Sequence, residues 1–192
     1  DDTDAAERVK IQYGTSMCYP VSSMGSHVSV VPNHQLNRKT PLHTRANVAY
    51  FGTFGYELDL NKLSDEEISE VKQQITFMKE YRELIQFGTF YRLKSPFEGN
   101  ETVWMTVSED KKTALVFWYR ERNVVNADFT RVRLQGLDPD FIYRNEYNGT
   151  ENYGDELMNL GLLTTDCTAG EPTSEDEPCT DYESRIYVLT AK

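Results

Sequence analysis

The sequence SDEEISEVKQQITFMKEYRELIQFG, at residues 64–88, separates two different structural patterns in the chain. Ser64 and Glu67 have the spacing of a capping box, in which each side chain accepts a hydrogen bond from the other residue's backbone amide. Gly88 is a natural stop for a helix that begins there. Apolar residues between these points recur at steps of three and four, as in a helix with one buried face, at Ile68, Val71, Ile75 and Met78, and again seven residues later at Ile85. The sequence therefore predicts a long amphipathic helix that ends at residue 88.

Two further helix starts precede this helix. Asp4 and Glu7 have the spacing of another capping box, so a helix is expected to begin there and to end by Pro20. Thr40-Pro41 has the form of an N-cap followed by a proline at the first helical position. Short strands are expected at residues 23–31 and 50–58, the second of them buried. Strands and helices thus alternate up to residue 87, which is typical of an α/β architecture.

The pattern after Gly88 changes to short segments that are rich in β-branched and aromatic residues and separated by turns. The segments expected to form strands are residues 89–93, 102–107, 114–120, 130–134, 142–147 and 185–189. Asp155 and Glu156 are expected in a solvent-facing turn. This part of the chain is therefore predicted to be an antiparallel β-sandwich, and the whole chain to be α/β followed by all-β.

Charge and composition exclude several classes of function. The chain of 192 residues has 20 Lys and Arg against 31 Asp and Glu, a net charge of −11, so no nucleic-acid or anionic-membrane partner is expected. No apolar run approaches the roughly 20 residues that a membrane span needs. The histidines, His27, His34 and His43, do not form a compact ligand set, so no metal is expected. Walker, GxGxxG, HExxH and GxSxG motifs are also absent.

The cysteines and sequons bear on the compartment. Cys18 has apolar neighbours and is expected to be a small core thiol. Cys167 and Cys179 lie in a polar, acidic stretch and would form a local disulfide in an oxidising compartment. Asn100 and Asn148 begin glycosylation sequons, which permit secretion.

The first 16 residues, DDTDAAERVKIQYGTS, resemble the S-D-N-T-D-A-x-x-R-x-x-x-Q-Y-G segment of the α-galactosidases of glycoside hydrolase family 36. The resemblance continues in chain order through SMGSHV at 23–28, PNHQ at 32–35, TPL-x-TR at 40–45, FGYELDL at 54–60, LIQFG-x-FYRL at 84–93, SPF at 95–97, GDELM at 154–158 and SR at 184–185. It implies that residues 1–87 are the C-terminal portion of a (β/α)8 catalytic barrel and residues 88–192 a C-terminal β-sandwich. The acidic insertion at residues 164–181 departs from the family pattern.

The resemblance also implies a catalytic residue. In the family this segment follows the sixth barrel strand, and its first Asp, which corresponds to Asp1, is the general acid/base of a retaining mechanism. Asp2 stands where the family usually has Asn, and the match that continues through Thr3-Asp4-Ala5 favours Asp1 over Asp2. Charge alone offers a simpler interpretation, because acids before a helix interact favourably with its dipole. The resemblance implies no cofactor and no metal, and it assigns no substrate-binding residue, although His27 could lie near the sugar.

The family's nucleophile lies in a Lys-Trp-Asp motif that this sequence lacks, since Trp104 and Trp118 precede Met105 and Tyr119. We therefore expect the chain to be a C-terminal fragment without hydrolase activity of its own. Its residues 1–60 are expected to be the least stable part, because a partial barrel leaves strand edges unpaired.

The expected substrates of the parent protein are α-galactosides of the melibiose and raffinose type. Galactosyl transfer and N-acetylgalactosaminide hydrolysis are alternatives within the same family. A non-catalytic carbohydrate-binding or assembly module on residues 88–192 is an alternative of another class. Four aromatic residues there would form either ordinary sandwich core, the favoured interpretation, or a sugar-stacking platform: Phe117, Trp118, Tyr119 and Tyr143. By resemblance the parent is a homo-oligomer, a tetramer. The resemblance slightly favours the cytoplasm, and the cysteine pair and sequons favour secretion.

Overall fold

The computed structural model describes residues 2–125, 129–164 and 181–192, and the chain forms two compact units, Asp1–Gly88 and Thr89–Lys192. The first unit is α/β and the second is built on an antiparallel sheet, so the predicted fold class is confirmed. Asp1, Cys167 and Cys179 lie outside the described residues. Among the described residues, no helix is long and apolar enough to cross a bilayer.

Residues 2–88, the described part of the first unit, form three α-helices, two single-turn 3-10 helices and a pair of parallel strands. The α-helices are α1 (Ala5–Thr15), α2 (Leu42–Ala49) and α3 (Asp65–Phe87), and the strands are β1 (Gly25–Ser29) and β2 (Thr53–Glu57). The two strands pair in parallel from Gly25 opposite Thr53 to Ser29 opposite Glu57, and α2 connects them. This β1–α2–β2 arrangement is the βα repeat of an α/β architecture, in which the carboxyl ends of the strands lie at one edge.

The helix starts agree only in part with their sequence signals. Ser64 and Glu67 form the predicted capping box of α3, with hydrogen bonds of 2.9 and 3.2 Å. The capping box predicted at Asp4 is wrong, because the Asp4 carboxylate pairs with Arg38 instead of capping α1. The Thr40 cap is also wrong, since α2 begins one residue later than expected, with Pro41 as a cap that has no side-chain hydrogen bond.

Side chains that donate to backbone carbonyls connect the elements of the first unit. Gln12 on α1 donates to the carbonyls of Val48 and Phe51 at 2.9 and 3.1 Å. Ser26 on β1 donates to the carbonyl of Ala49 at 2.6 Å. These buried bonds satisfy the last two carbonyl groups of α2, which have no partner within the helix, and the carbonyl of Phe51 just beyond it.

Two expectations about burial in the first unit are wrong. The strand β2 is shorter than the predicted residues 50–58 and is only partly buried. Cys18 is an exposed thiol, because α1 ends at Thr15 and the chain then turns along the surface. Apolar neighbours in the sequence did not mean burial at this point, since the neighbours Met17 and Tyr19 are exposed as well.

The second unit is a six-stranded antiparallel sheet with the strand order β3-β4-β5-β10-β7-β8. A separate two-stranded antiparallel ribbon consists of β6 and β9. The strands are β3 (Thr89–Lys94), β4 (Glu101–Val107), β5 (Thr113–Arg120), β6 (Arg131–Val132), β7 (Ile142–Asn145), β8 (Glu151–Tyr153), β9 (Leu162–Leu163) and β10 (Glu183–Ala191). The strands predicted from alternation are all present, and the very short β8 and β9 had no sequence signal long enough to predict them.

The core of the second unit lies between one face of the sheet and a layer made by the ribbon and the segments beside it. The sheet contributes residues such as Met105, Val116 and Tyr187, and the second layer contributes Leu134 and Leu157. The segment predicted as a solvent-facing turn is instead a short helix, α4 (Gly154–Asn159), whose Leu157 is buried in this core. The two layers match the predicted sandwich.

Candidate active site

Two pieces of the first unit meet where the resemblance places the catalytic acid. The first is the pre-helix segment, residues 2–4, which leads into α1. The second is the β1–α2 loop, residues 30–41, which follows the carboxyl end of β1. Active sites of α/β proteins lie at this end of parallel strands, because the loops that converge there hold side chains in fixed positions.

The β1–α2 loop binds the pre-helix segment through two side chains. Asn33 donates from Nδ2 to the hydroxyl oxygen of Thr3 at 2.9 Å. Arg38 forms an ion pair through Nη1 with the carboxylate of Asp4. Asp4 is only 2% exposed, whereas the Arg38 side chain is 22% exposed. A buried carboxylate is therefore matched by a cation that comes from the surface.

Arg8 fixes the pre-helix segment from the helix side. Its Nη1 donates to the carbonyl oxygen of Asp2 at 2.9 Å, and its Nη2 donates to the carbonyl oxygen of Gly25 at 2.8 Å. One carboxylate oxygen of Asp2 accepts the backbone N–H of Asp4 at 2.7 Å. The planar guanidinium thus joins the residue next to Asp1 to the start of β1, with two donors held at a fixed angle.

The charge state of Asp4 results from opposing effects. Burial raises the pKa of the Asp4 carboxyl above its ordinary value, and this rise is opposed first by the Arg38 guanidinium and then by the backbone amides of Ala6 and Glu7. Removal of Arg38 would leave a buried carboxylate without its charged partner, which is a costly arrangement. Asp4 and Arg38 therefore depend on each other.

The histidines do not form a metal site. His34 Nδ1 lies 3.5 Å from the Thr3 hydroxyl oxygen, and His27 Nε2 on β1 lies 3.3 Å from the Glu57 carboxylate. Burial, and after it the charge of Arg8, lowers the pKa of His27. Within the described residues, no group of three or more His, Cys, Asp or Glu side chains could hold a metal ion.

The aromatic residues considered for sugar stacking are buried. Phe117, Trp118, Tyr119 and Tyr143 are each at most 2% exposed. Trp118 and Tyr143 belong to the core between the two layers, as the favoured prediction has it. Phe117 and Tyr119 alternate with Trp118 along β5 and are buried on the other face of the sheet, outside that core. A sugar that stacks through its apolar C–H face needs an accessible aromatic ring, and these four side chains do not present one.

Sequence reasoning missed three residues of this region: Arg8, Asn33 and Arg38. Arg8 is four residues after Asp4, a spacing that merely indicates one helix face. Asn33 and Arg38 contact partners 30 and 34 residues away, so no local spacing could reveal them. Chemically, the arrangement can hold a short acidic segment rigid at the edge of a site.

Comparisons with known proteins agree over both units. Residues 1–88 match the Melibiase family model, and residues 101–189 match the model of the glycosyl hydrolase family 36 C-terminal domain. Alpha-galactosidase AgaA of Geobacillus stearothermophilus is 54% identical over 162 residues, which are 84% of this chain and 22% of that protein. Alpha-galactosidase 1 of Pediococcus pentosaceus is 45% identical over 191 residues, which are 100% of this chain and 25% of that protein.

Solved structures give the same result. The crystal structure of AgaA from Geobacillus stearothermophilus superposes with a TM-score of 0.90 and 48% identity, over 100% of this chain and 25% of that one. The α-galactosidase from Lactobacillus brevis superposes with a TM-score of 0.92 and 46% identity, with the same coverage. The chain thus spans about a quarter of the length of these solved relatives.

The α/β unit, the antiparallel sandwich and both family matches define a glycoside hydrolase. More narrowly, the chain belongs to glycoside hydrolase family 36, as the sequence motifs predict.

Proposed function

We propose that the protein containing this chain is a retaining α-galactosidase that hydrolyses terminal α-galactosyl residues of melibiose- and raffinose-type oligosaccharides. The observation that carries this proposal is that the cited relatives, at 45–54% identity, are α-galactosidases. Variants of AgaA from Geobacillus stearothermophilus have been crystallised in complex with raffinose and with stachyose, and these structures superpose on this chain with TM-scores of 0.90. Both ligands are α-galactosides.

Asp1 is the proposed general acid/base, and the nucleophile is supplied by residues outside this chain. Asp1 protonates the glycosidic oxygen as the nucleophile attacks the anomeric carbon, and it then removes a proton from the water that releases galactose. Two contacts support Asp1 over its neighbour Asp2. The Asp2 carboxylate accepts the amide of Asp4, and the Asp2 carbonyl accepts Arg8, so Asp2 has a local structural role.

The barrel origin of residues 1–87 and the sandwich boundary at residue 88 are part of the same proposal. The parallel β1–α2–β2 repeat supports the first, and the change of structure at Gly88 supports the second. The proposed parent protein is a homotetramer. Light scattering on the full-length gene product tests this assembly, and a monomeric mass would refute it.

Activity measurements on the full-length gene product test the proposal. Asp1→Asn and Asp2→Asn are a matched pair, since both remove one negative charge at adjacent positions. We expect Asp1→Asn to lower kcat/KM for melibiose by about 10²-fold or more, the usual contribution of a general acid. Asp2→Asn restores the residue usual in the family and should stay within about threefold of the unmutated protein, well below that contribution. The opposite ranking would assign the catalytic role to Asp2.

The isolated chain is the complementary control. Without a nucleophile it should release no p-nitrophenol from p-nitrophenyl α-galactoside. Turnover by the purified chain that persists through a second purification step would refute the assignment of the nucleophile to residues outside it.

A further inference from the structure

We propose that Arg38 is a positioning residue for the general acid/base, acting on Asp1 through its ion pair with Asp4. This inference rests on the proposed function, because it assumes that Asp1 delivers the proton to the leaving oxygen. It adds a role for the β1–α2 loop, which would hold the catalytic segment in place without touching the sugar.

The loop that carries Arg38 is itself ordered by Asn33. The Asn33 side-chain oxygen accepts the backbone amides of Gln35 and Leu36 at 3.0 and 2.9 Å. The backbone N–H of Asn33 donates to the carbonyl oxygen of Arg38 at 2.8 Å. Because these bonds close the loop on itself, the backbone of Arg38 has a defined position from which its guanidinium reaches Asp4.

The position of Asp4 determines the course of the pre-helix segment. The Asp4 amide donates to the Asp2 carboxylate, and the Asp2 carbonyl accepts Arg8. Each residue between Asp4 and Asp1 is therefore tied to a fixed group, and Asn33 holds Thr3 in the same way. A shift of Asp4 would be transmitted to Asp1 through two intervening residues, and a misplacement of about 1 Å can cost roughly 10²-fold in rate.

Helix capping alone does not explain the ion pair between Asp4 and Arg38. Asp4 is the residue before α1, and although the amides of Ala6 and Glu7 in the first turn favour its charged form, its side chain makes no capping hydrogen bond. Ser64, before α3, shows the usual alternative, in which the side chain accepts an amide of its own helix. The Asp4 carboxylate is instead directed to a cation 34 residues away, at the cost of burying a charge. The ion pair with Arg38 therefore fixes the position of Asp4 more than it stabilises α1.

The chemistry of the leaving group separates a positioning role from a general loss of structure. As the glycosidic C–O bond breaks, its electron pair goes to the leaving oxygen, the galactosyl group passes to the nucleophile, and the acid's proton neutralises the leaving oxygen. A sugar alkoxide is a poor leaving group and needs this proton, whereas p-nitrophenolate is stable without it. A misplaced acid therefore slows raffinose cleavage much more than p-nitrophenyl α-galactoside cleavage.

The test uses Arg38→Gln in the full-length gene product, with kcat and KM measured on both substrates. We expect kcat/KM for raffinose to fall by about 10²-fold and that for p-nitrophenyl α-galactoside by about threefold or less. The loss on raffinose should lie mainly in kcat. Arg38→Lys keeps the positive charge, so its kcat/KM for raffinose should be about tenfold or more above that of Arg38→Gln. It should stay below that of the unmutated protein, because a lysine lacks the planar guanidinium group. Arg82→Gln, at an exposed position on α3, is the matched control and should leave kcat/KM unchanged for both raffinose and p-nitrophenyl α-galactoside.

A second variant distinguishes the loss of the Asp4–Arg38 ion pair from misfolding of Arg38→Gln. Asp4→Asn keeps the side-chain shape and removes the charge that Arg38 binds, and it should give the same selective loss on raffinose. Equal losses on the two substrates, or no loss on raffinose in both variants, would overturn the positioning role. If the unmutated protein cleaves neither substrate, the proposed function fails first, and the positioning role fails with it.

Discussion

Glu101 links two neighbouring strands of the second unit, and its replacement by Gln should destabilise that unit. The Glu101 carboxylate accepts Lys94 Nζ at 2.5 Å through one oxygen and Trp118 Nε1 at 3.1 Å through the other. Its side chain is 14% exposed, and Trp118 is 1% exposed. In Glu101→Gln, the amide oxygen can still accept the indole N–H, but the amide nitrogen then faces the Lys94 ammonium as a second donor.

The expected change in the free energy of unfolding follows from the hydrogen bonds of Glu101 that each substitution removes or keeps. A hydrogen bond to a charged group contributes about 1.5–3 kcal/mol. Lys94 is 32% exposed and can turn toward water, so the expected loss for Glu101→Gln is at the lower end, about 1.5 kcal/mol. Glu101→Ala also leaves the buried Trp118 N–H without an acceptor. This adds about 1–3 kcal/mol, for a total of about 2.5–4.5 kcal/mol.

The assay is urea unfolding of the chain followed by tryptophan fluorescence. The chain has two tryptophans, Trp104 on β4 and Trp118 on β5, so the signal reports on the second unit. Glu98→Gln removes the same charge at an exposed position and should change the free energy of unfolding by less than about 0.5 kcal/mol. If Glu101→Gln and Glu98→Gln unfold at the same urea concentration, the reasoning about the buried acceptor is wrong.

Three further predictions concern packing and pH. Gly52→Ala should cost about 1–3 kcal/mol in thermal unfolding followed by circular dichroism, because a methyl group there would clash with Ser26 Oγ and lie 2.8 Å from the Met24 carbonyl oxygen; an unchanged melting temperature would contradict this. Leu134→Ala should cost about 2–5 kcal/mol by tryptophan fluorescence, since Leu134 is 1% exposed in the sandwich core, and a loss below about 1 kcal/mol would contradict it. The lowered pKa of His27 means that the unfolded chain takes up a proton near pH 6.5, whereas the folded chain takes it up only at lower pH. Stability is therefore lost as the pH falls through this region, and the loss between about pH 7.5 and 5.5 should be smaller in His27→Gln by urea unfolding. An equal loss in both proteins would refute this assignment.

Elements with strong local signals could be predicted from the sequence. The helix α3 has both a capping box and a long apolar stripe, and the structure places it where the pattern does. The strands β4 and β5 agree to within one residue of their predicted bounds, because alternating β-branched and aromatic residues bury a continuous sheet. In these segments local preference and burial favour the same structure.

Features that depend on distant partners could not be predicted. The capping box at Asp4 failed because Arg38, which is remote in sequence, provides a stronger partner for the carboxylate. The short helix α4 was missed because it has only two buried residues, Gly154 and Leu157, which are too few to show a helical periodicity. Cys18 was expected in the core because its neighbours are apolar, yet the turn after α1 exposes all of them.

In the candidate site, too, the sequence identified some residues, and others became evident only from the folded structure. The family motif identified Asp1 and the acidic segment before α1, but it gave no role to the loop that binds this segment. Asn33 lies within one of the matched motifs, and its contact with Thr3 becomes evident only when the chain is folded. Motifs therefore located the chemistry, and the structure revealed what positions it.

The most direct test of the central claim, that Asp1 is the acid/base of a retaining α-galactosidase, is the product formed with azide. In Asp1→Ala of the full-length protein, azide needs no general base and can attack the covalent galactosyl-enzyme in place of water. Two displacements at the anomeric carbon retain its configuration, so p-nitrophenyl α-galactoside should yield α-galactosyl azide, identified by NMR. Formation of β-galactosyl azide, or no rescue by azide, would contradict the account.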